Sequence, residues 1–541
     1  MRKTLEAMVP PLACVAGLWL LFYPTLNSGF ALMQSDLGDT RHLNWVLEHG
    51  YRWLVGDPHH AALWSPPAFF PQTDTLAYSE TLLGLQSLYG LWRQLGFEAD
   101  TAMQLMMLLS SIFNFGVMLL LLRREFMAGL TAASFGAFLF AFASVRGAQI
   151  GHQHLLPHFF TPLAVLAALR VFRNLENATQ KRSVTLWLCV FFLSFVAQLY
   201  TVLQLGWFLC LSLLIGIGWA LAFRGWRRKL WRLIALHWPA LVTLAVVSLL
   251  GLSPLLILYL KAASDVGFRS FEEVTMLLPR LQSWFYLGRF NVMYGWLHSF
   301  RAFSGLPRLW EHEIGLGLVT SAIVIIGLWQ GRRDPRIRLF GLIAATIALA
   351  ITLLPGGLTV WRIVYDVVPG AKAMRAMTRI ALLLLIPASI GAALFVDGVL
   401  KRRDRLALPA VAVVIGLSFV EQARSQPSYD KAANRRRIAE VALLVPSGCR
   451  AFYYSVLQRP QTLIYDQLDA MWASMNLGIP TVNGYSSNFP PGWGNPIQPG
   501  LLFNAVSSAQ EEEQLGRFLG AWLKLKGVPR DAVCWVRARG P

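Results

Sequence analysis

Long apolar runs recur along the chain at 9–26, 101–122, 128–145, 155–172, 184–199, 202–221, 233–257, 314–328, 339–354, 380–400 and 406–420. A helix that crosses a bilayer needs about 20 such residues, so the pattern predicts about eleven transmembrane helices. The stretch 184–221 must hold a tight hairpin near Tyr200, because one continuous helix would put its two flanking basic loops on opposite sides. The run 9–26 lacks an A-x-A-like cleavage site and reads as a retained first helix rather than a removed signal peptide. The stretch 75–95 reads as a helix lying at, or dipping into, the outer surface.

The polar segments between these runs are of two kinds. Short arginine-rich loops (Arg123-Arg124; Arg173 with Lys181-Arg182; Arg224 through Arg232; Arg332-Arg333 with Arg336 and Arg338; Lys401 through Arg405) follow every second run. Positive charge in short loops is retained in the cytoplasm, so these loops, with Arg2 and Lys3, mark the inner face. The segments 27–100, 146–154, 259–313, 355–379 and the tail from 421 then lie outside. They hold acids, histidines and aromatics instead.

Composition supports the pattern: 55% hydrophobic residues, 14% charged and a mean hydropathy of +0.49 over 541 residues depart from a soluble chain. The net charge of +19 would point to nucleic acid in a soluble protein. Here much of it sits where anionic lipid lies, and nucleic acid is excluded as a partner. The fold class is therefore an α-helical polytopic membrane protein, residues 1–421, with a small extracytoplasmic α/β domain, residues 422–541. In that tail, helices at 431–444, 461–476 and 510–526 alternate with strands at 451–456, 481–482 and 533–536. Cys14, Cys189 and Cys210 lie in apolar runs. Cys449 and Cys534 lie in the tail: an oxidising compartment would join them, contributing on the order of 4–5 kcal/mol, and otherwise they are two free thiols. There is no Walker A loop, GxGxxG after a strand, CxxC or HExxH, which disfavours ATP hydrolysis and nicotinamide chemistry.

Candidate chemistry is confined to the outer loops. Asp36 and Asp39 follow the first run, with Gly38 between them and Arg41 and His42 beside them. An acid at the membrane interface is costly without a partner or a task. Asp39 is the candidate general base or ligand of a divalent ion (Mg, Mn or Zn), while Asp36 either joins it or caps the helix beginning near Thr40. Glu48 and interleaved aromatics and prolines continue this loop, as a sugar or headgroup platform or as an ordinary aromatic belt. His152, His154 and His158 enter the fourth run; an i, i+4 pair at His154 and His158 suits metal ligation with Asp39, or a buried polar cluster. Lys372, Arg375 and Arg379 precede the tenth run, where the helix dipole favours anions. Either a phosphate held by paired donors or Asp366 and lipid headgroups would neutralise them. In the tail, Tyr485 and Trp493 lie on a turn-rich loop, either stacking on a sugar or packing the loop down.

A first span, a long acidic outer loop opening with aspartate, many further spans and an exported α/β tail resemble the GT-C class of membrane glycosyltransferases, which includes protein O-mannosyltransferases, aminoarabinose transferases and oligosaccharyltransferases. Gly38-Asp39, Leu47 through Gly50, Gly151-His152, residues 369–379 and Asn483 through Ser486 are also similar to motifs of bacterial glycosyltransferase-like membrane proteins. The resemblance implies that Asp39 is the acid-base or metal-associated residue. The class often has adjacent acids there, whereas Asp36 and Asp39 are separated by two residues. It further implies transfer of a sugar from a polyprenyl-phosphate donor to a glycan, lipid or protein acceptor outside the bacterial cytoplasmic membrane. The other classes compatible with these features are a transporter or flippase and a non-catalytic assembly protein for lipid-linked glycans.

Overall fold

The computed structural model describes residues 2–176, 180–402, 405–457, 463–494, 502 and 508–539 of the 541-residue chain. Each of the eleven apolar runs is helical. Among the described residues, eight helical stretches, some of them broken by a turn, are long and apolar enough to cross a membrane: Glu6–Asn27, Ala99–Glu125, Leu130–Ala148, Gln153–Asn174, Lys181–Thr201, Leu203–Ala222, Arg224–Val266 and Met377–Lys401. Leu318–Gly331, Pro335–Ile351 and Ala407–Gln422 are shorter. The hairpin turns at Val202, whose extended backbone separates Lys181–Thr201 from Leu203–Ala222.

Burial sorts these helices. Ala381–Lys401 is central, packed between Leu318–Gly331 and Leu130–Phe142. Two glycines let it approach so closely: a Cβ on Gly327 would lie 1.8 Å from the Gly391 carbonyl oxygen, and one on Gly391 would lie 2.5 Å from that of Val324. Small residues at such contacts are how helices pack without a hydrophobic drive in lipid. By contrast, only 11% of the apolar window of Arg224–Val266 is buried, and Leu250 and Ile257 are 68% and 66% exposed. Such a surface belongs in hydrocarbon rather than water.

The two kinds of loop gather at opposite ends. At the basic end, Arg336 Nη1 donates to the Glu125 carbonyl at 2.8 Å, the Gly129 amide donates to Asp397 at 2.8 Å, and Arg170 and Arg173 meet the Glu125 carboxylate. At the other end, β1 (Leu32–Gln34) pairs antiparallel with β2 (Ser428–Asp430), so the start of the tail clamps the segment following the first helix. Helix Lys431–Leu444 follows, then β3 (Ala451–Leu457), helix Leu463–Leu477, helix Ala509–Leu525 and β4 (Val533–Arg539), with β3 and β4 parallel. Cys449 and Cys534 are joined at the ends of these strands. Thr481 makes only an isolated bridge to Phe452, not a strand. A continuous apolar cluster runs from the helices into the tail.

The stretch 75–95 is not one helix. It forms two tight turns, Thr75–Tyr78 and Leu83–Leu85, and only then the helix Gln86–Gln94. The break is held by Glu80, whose carboxylate accepts the amides of Leu203 and Gln204 at 2.8 and 3.1 Å. These are orphan donors at a helix start, where the dipole favours negative charge.

Candidate active site

Asp39 is the first residue of the amphipathic helix Asp39–Leu54. Asp36 does not cap it: its Oδ1 accepts the Gly38 amide at 2.8 Å and shapes the turn that presents Asp39. Burial, with Asp39 nearby, raises the Asp36 carboxyl above its ordinary value. The turn is fixed from behind, since the Ser35 amide donates to the Pro427 carbonyl at 2.7 Å and Gln153 Nε2 to that of Gln34 at 2.8 Å. The second tie brings the loop bearing His152 against the loop bearing Asp39.

Both Asp39 oxygens are engaged. The Tyr485 hydroxyl donates to Oδ1 at 2.7 Å, and His152 Nε2 lies 3.3 Å from Oδ2. The carboxylate side chain is still 37% exposed and remains open to a ligand. Tyr485 is delivered by a loop that Asn483 fastens to β3, accepting from the Tyr454 amide at 2.7 Å and donating to its carbonyl at 2.9 Å. The next position must be glycine, because a Cβ on Gly484 would lie 2.3 Å from the Phe69 ring. Burial and Asp39 raise the Tyr485 hydroxyl well above its ordinary value, so it stays a donor.

Behind His152 stands a buried ion pair that the sequence reading did not include. Arg379 Nη2 donates to Glu311 at 2.6 Å and lies 2.9 Å from His152 Nε2, while its Nε reaches Glu311 at 3.1 Å. Burial pushes the Glu311 carboxyl up, but Arg379, with His152 and Arg375 beyond it, outweighs that and holds it at about 2. Burial, then Arg379, lowers His152 below the usual imidazole value. A neutral ring that accepts from Arg379 at Nε2 carries its proton on Nδ1. Arg375 is more available: 38% exposed, with one carboxylate partner, Glu273, at 3.2 Å. The Glu311-His312-Glu313 run, acids just ahead of an apolar run, was the available signal for this pair.

Several expected site residues have other work. Arg41, 1% exposed, pairs with Asp469, which also holds Arg437 at 2.6 Å. Glu48 is buried among Arg52, Arg93 and Tyr89, so neither side chain can reach a ligand. Trp493 is buried, with ring contacts to Phe69 at 5.1 Å and Phe489 at 5.8 Å, and offers no face to a sugar. His42 is buried with its ring 5.6 Å from that of Tyr485, edge-on. His154 lies beside His152, their rings 6.0 Å apart, and its Nδ1 has no partner. His158 is elsewhere, 3.3 Å from Arg146 Nη2, and the two do not share a helical face. Gln153–Leu155 is a single tight turn and the helix begins only at Phe160.

Among the described residues, no group of three or more His, Cys, Asp or Glu side chains converges to hold a metal ion. An ion between Asp39 and His152 would also have to displace Arg379 from the nitrogen it needs. This arrangement does not fit the divalent ion that the class resemblance implies.

A search of solved structures places this architecture. The archaeal oligosaccharyltransferase AglB from Archaeoglobus fulgidus, in complex with an inhibitory peptide and a dolichol-phosphate, superposes with a TM-score of 0.55 at 12% identity, covering 96% of this chain and 68% of that one. The chain has the fold of an oligosaccharyltransferase. The apo form of the Archaeoglobus fulgidus oligosaccharyltransferase matches similarly, with a TM-score of 0.52, 12% identity and coverage of 95% and 68%. This is the GT-C membrane fold that the sequence resemblance implied. No family model and no curated protein matches the chain.

Two outcomes follow from the geometry. A hydrogen bond to a charged group contributes about 1.5–3 kcal/mol to stability, so Tyr485→Phe, which removes the donor to Asp39 Oδ1, is expected to lower the thermal midpoint by a few degrees in a melting curve. The second outcome concerns acid. Burial lowers His42, His49 and His312 to about 4 and His60 to about 3. Between the ordinary value of 6.5 and these values, the unfolded chain binds more protons than the folded one, so stability is lost as pH falls through that window. The thermal midpoint in detergent is expected to drop steeply from pH 6.5 to 4.

Proposed function

We propose that this protein is a membrane glycosyltransferase that moves a sugar from a polyprenyl-phosphate donor to an acceptor on the outer face of a bacterial cytoplasmic membrane. In this reading residues 1–421 form the transmembrane part, with about eleven spans and the N-terminus inside, and residues 422–541 form the extracytoplasmic domain. The observation that carries it is Asp39: a partly exposed carboxylate aimed by Tyr485, with His152 beside it and Arg379 and Arg375 beyond. The lipid phosphate and peptide bound to AglB support a lipid-linked donor and a separate acceptor.

Asp39 removes the proton of the acceptor nucleophile as that atom bonds to the sugar's anomeric carbon. The bond from that carbon to the phosphate oxygen breaks, and the polyprenyl phosphate leaves with the electron pair. Arg375, more exposed and less committed than Arg379, meets the developing phosphate charge. Arg379, fixed by Glu311, keeps His152 neutral and next to Asp39. With its proton on Nδ1 and its Nε2 lone pair held by Arg379, His152 does not compete for the proton, which comes to rest on the Asp39 carboxylate.

The test uses the full-length protein in proteoliposomes with a panel of polyprenyl-phosphate hexoses and pentoses and a cell-envelope acceptor fraction. Release of free polyprenyl phosphate with matching glycosylation of acceptor is the expected result. Intact donor crossing the bilayer uncleaved would favour a flippase, and neither event a scaffold.

A further inference from the structure

We infer that an anionic phospholipid binds at the basic end of the bundle, in a cleft between Lys181–Thr201 and the kinked helix Arg224–Val266. The kink lies at His237, where φ and ψ of −130° and 16° depart from helical values, two residues before Pro239. Proline lacks the amide that would bond the carbonyl four residues earlier, so the helix opens at Ala235. The opening leaves a cavity of about 340 Å³, walled by Leu175, Val184, Ala235 and Leu236 and headed by Lys181, Arg232 and His237.

Three features select the occupant. Among the described residues neither Lys181 nor Arg232 has a carboxylate partner, and the nearby Glu176 is taken by Lys229 at 2.7 Å. Two unneutralised cations beside an imidazole call for an anion. The volume is about ten times the roughly 30 Å³ of one liquid water, which accommodates a phosphoglycerol headgroup but not the chains attached to it. Outside the cleft, Leu186, Trp231 and Trp238 are 61%, 60% and 59% exposed, an apolar track on which acyl chains would lie. A free phosphate would leave that track without purpose. Basic pockets between helices on the positively charged side are how membrane proteins hold such headgroups. This site is remote from Asp39 and independent of the transferase reading.

The experiment is native mass spectrometry of the full-length protein, released from detergent containing equal phosphatidylglycerol and phosphatidylcholine. With two cations contributing, the first bound lipid is expected to be phosphatidylglycerol by about 30-fold. Lys181→Gln with Arg232→Gln should bring the two lipids near parity, while Arg332→Gln with Arg333→Gln, outside the cleft, should leave the preference unchanged. If the first double variant fails to fold, the wild type decides alone: 1 M salt should erase the preference and 10 mM inorganic phosphate should not. Equal binding of both lipids by wild type, a preference that survives loss of both cations, or displacement by inorganic phosphate would each overturn the assignment.

Discussion

Asp39→Asn is expected to lower sugar transfer about 10²- to 10⁴-fold, the range that a positioned general base contributes. The substitution is close to isosteric, and the surroundings accept it. The amide oxygen can still take the Tyr485 hydroxyl bond seen at 2.7 Å. The amide nitrogen would face His152 Nε2 without bonding it, because that lone pair stays with Arg379, and at a side chain 37% exposed it is satisfied by water. The folded state therefore loses no partner, and its thermal midpoint should stay near that of wild type. Only proton acceptance is removed. Initial-rate measurements beside a melting curve check both halves, and a large drop in stability would assign Asp39 a structural role instead.

Glu311→Ala should act through a different route. Glu311 is 4% exposed and its partner Arg379 is enclosed with it. Removing one member of a buried pair strands the other charge, at a cost of about 3–5 kcal/mol. Turnover should fall as well, because a stranded Arg379 has no reason to stay on His152. Replacing both members, Glu311→Leu with Arg379→Met, separates the two effects. An apolar pair of similar volume is often neutral or stabilising in place of a buried ion pair, so stability should recover while transfer does not. Recovery of transfer in the double variant would remove the pair from the catalytic arrangement. Thermal midpoints and initial rates on the three proteins decide it.

The helices were legible because hydrocarbon leaves so few solutions. Every backbone group must be satisfied within its own segment, and each of the eleven apolar runs is helical. The hairpin near Tyr200 followed from charge bookkeeping across its neighbours and turns at Val202. Asp39 stood out because an acid beside an apolar run demands a reason. Its pairing with Tyr485, 446 positions away, and with His152 had no local signature. The same holds for Glu311 and Arg379, separated by 68 positions and joined only when the segments that carry them fold over one another. Arg41 and Glu48 misled because the carboxylates and cations that consume them arrive from Asp469 and Arg93. The His154 and His158 spacing was a misreading that Pro157 could have prevented: proline disfavours helical geometry in the residue before it, and the two rings end in different environments.

In the proposed function this chain binds a lipid-linked sugar and uses Asp39 to transfer it. The most direct measurement is native mass spectrometry of the lipids that co-purify with wild type and with Asp39→Asn. A polyprenyl-phosphate sugar enriched on the variant, with wild type carrying less of it or only the bare polyprenyl phosphate, is the expected result. Absence of any such lipid from both forms would contradict a lipid-linked donor.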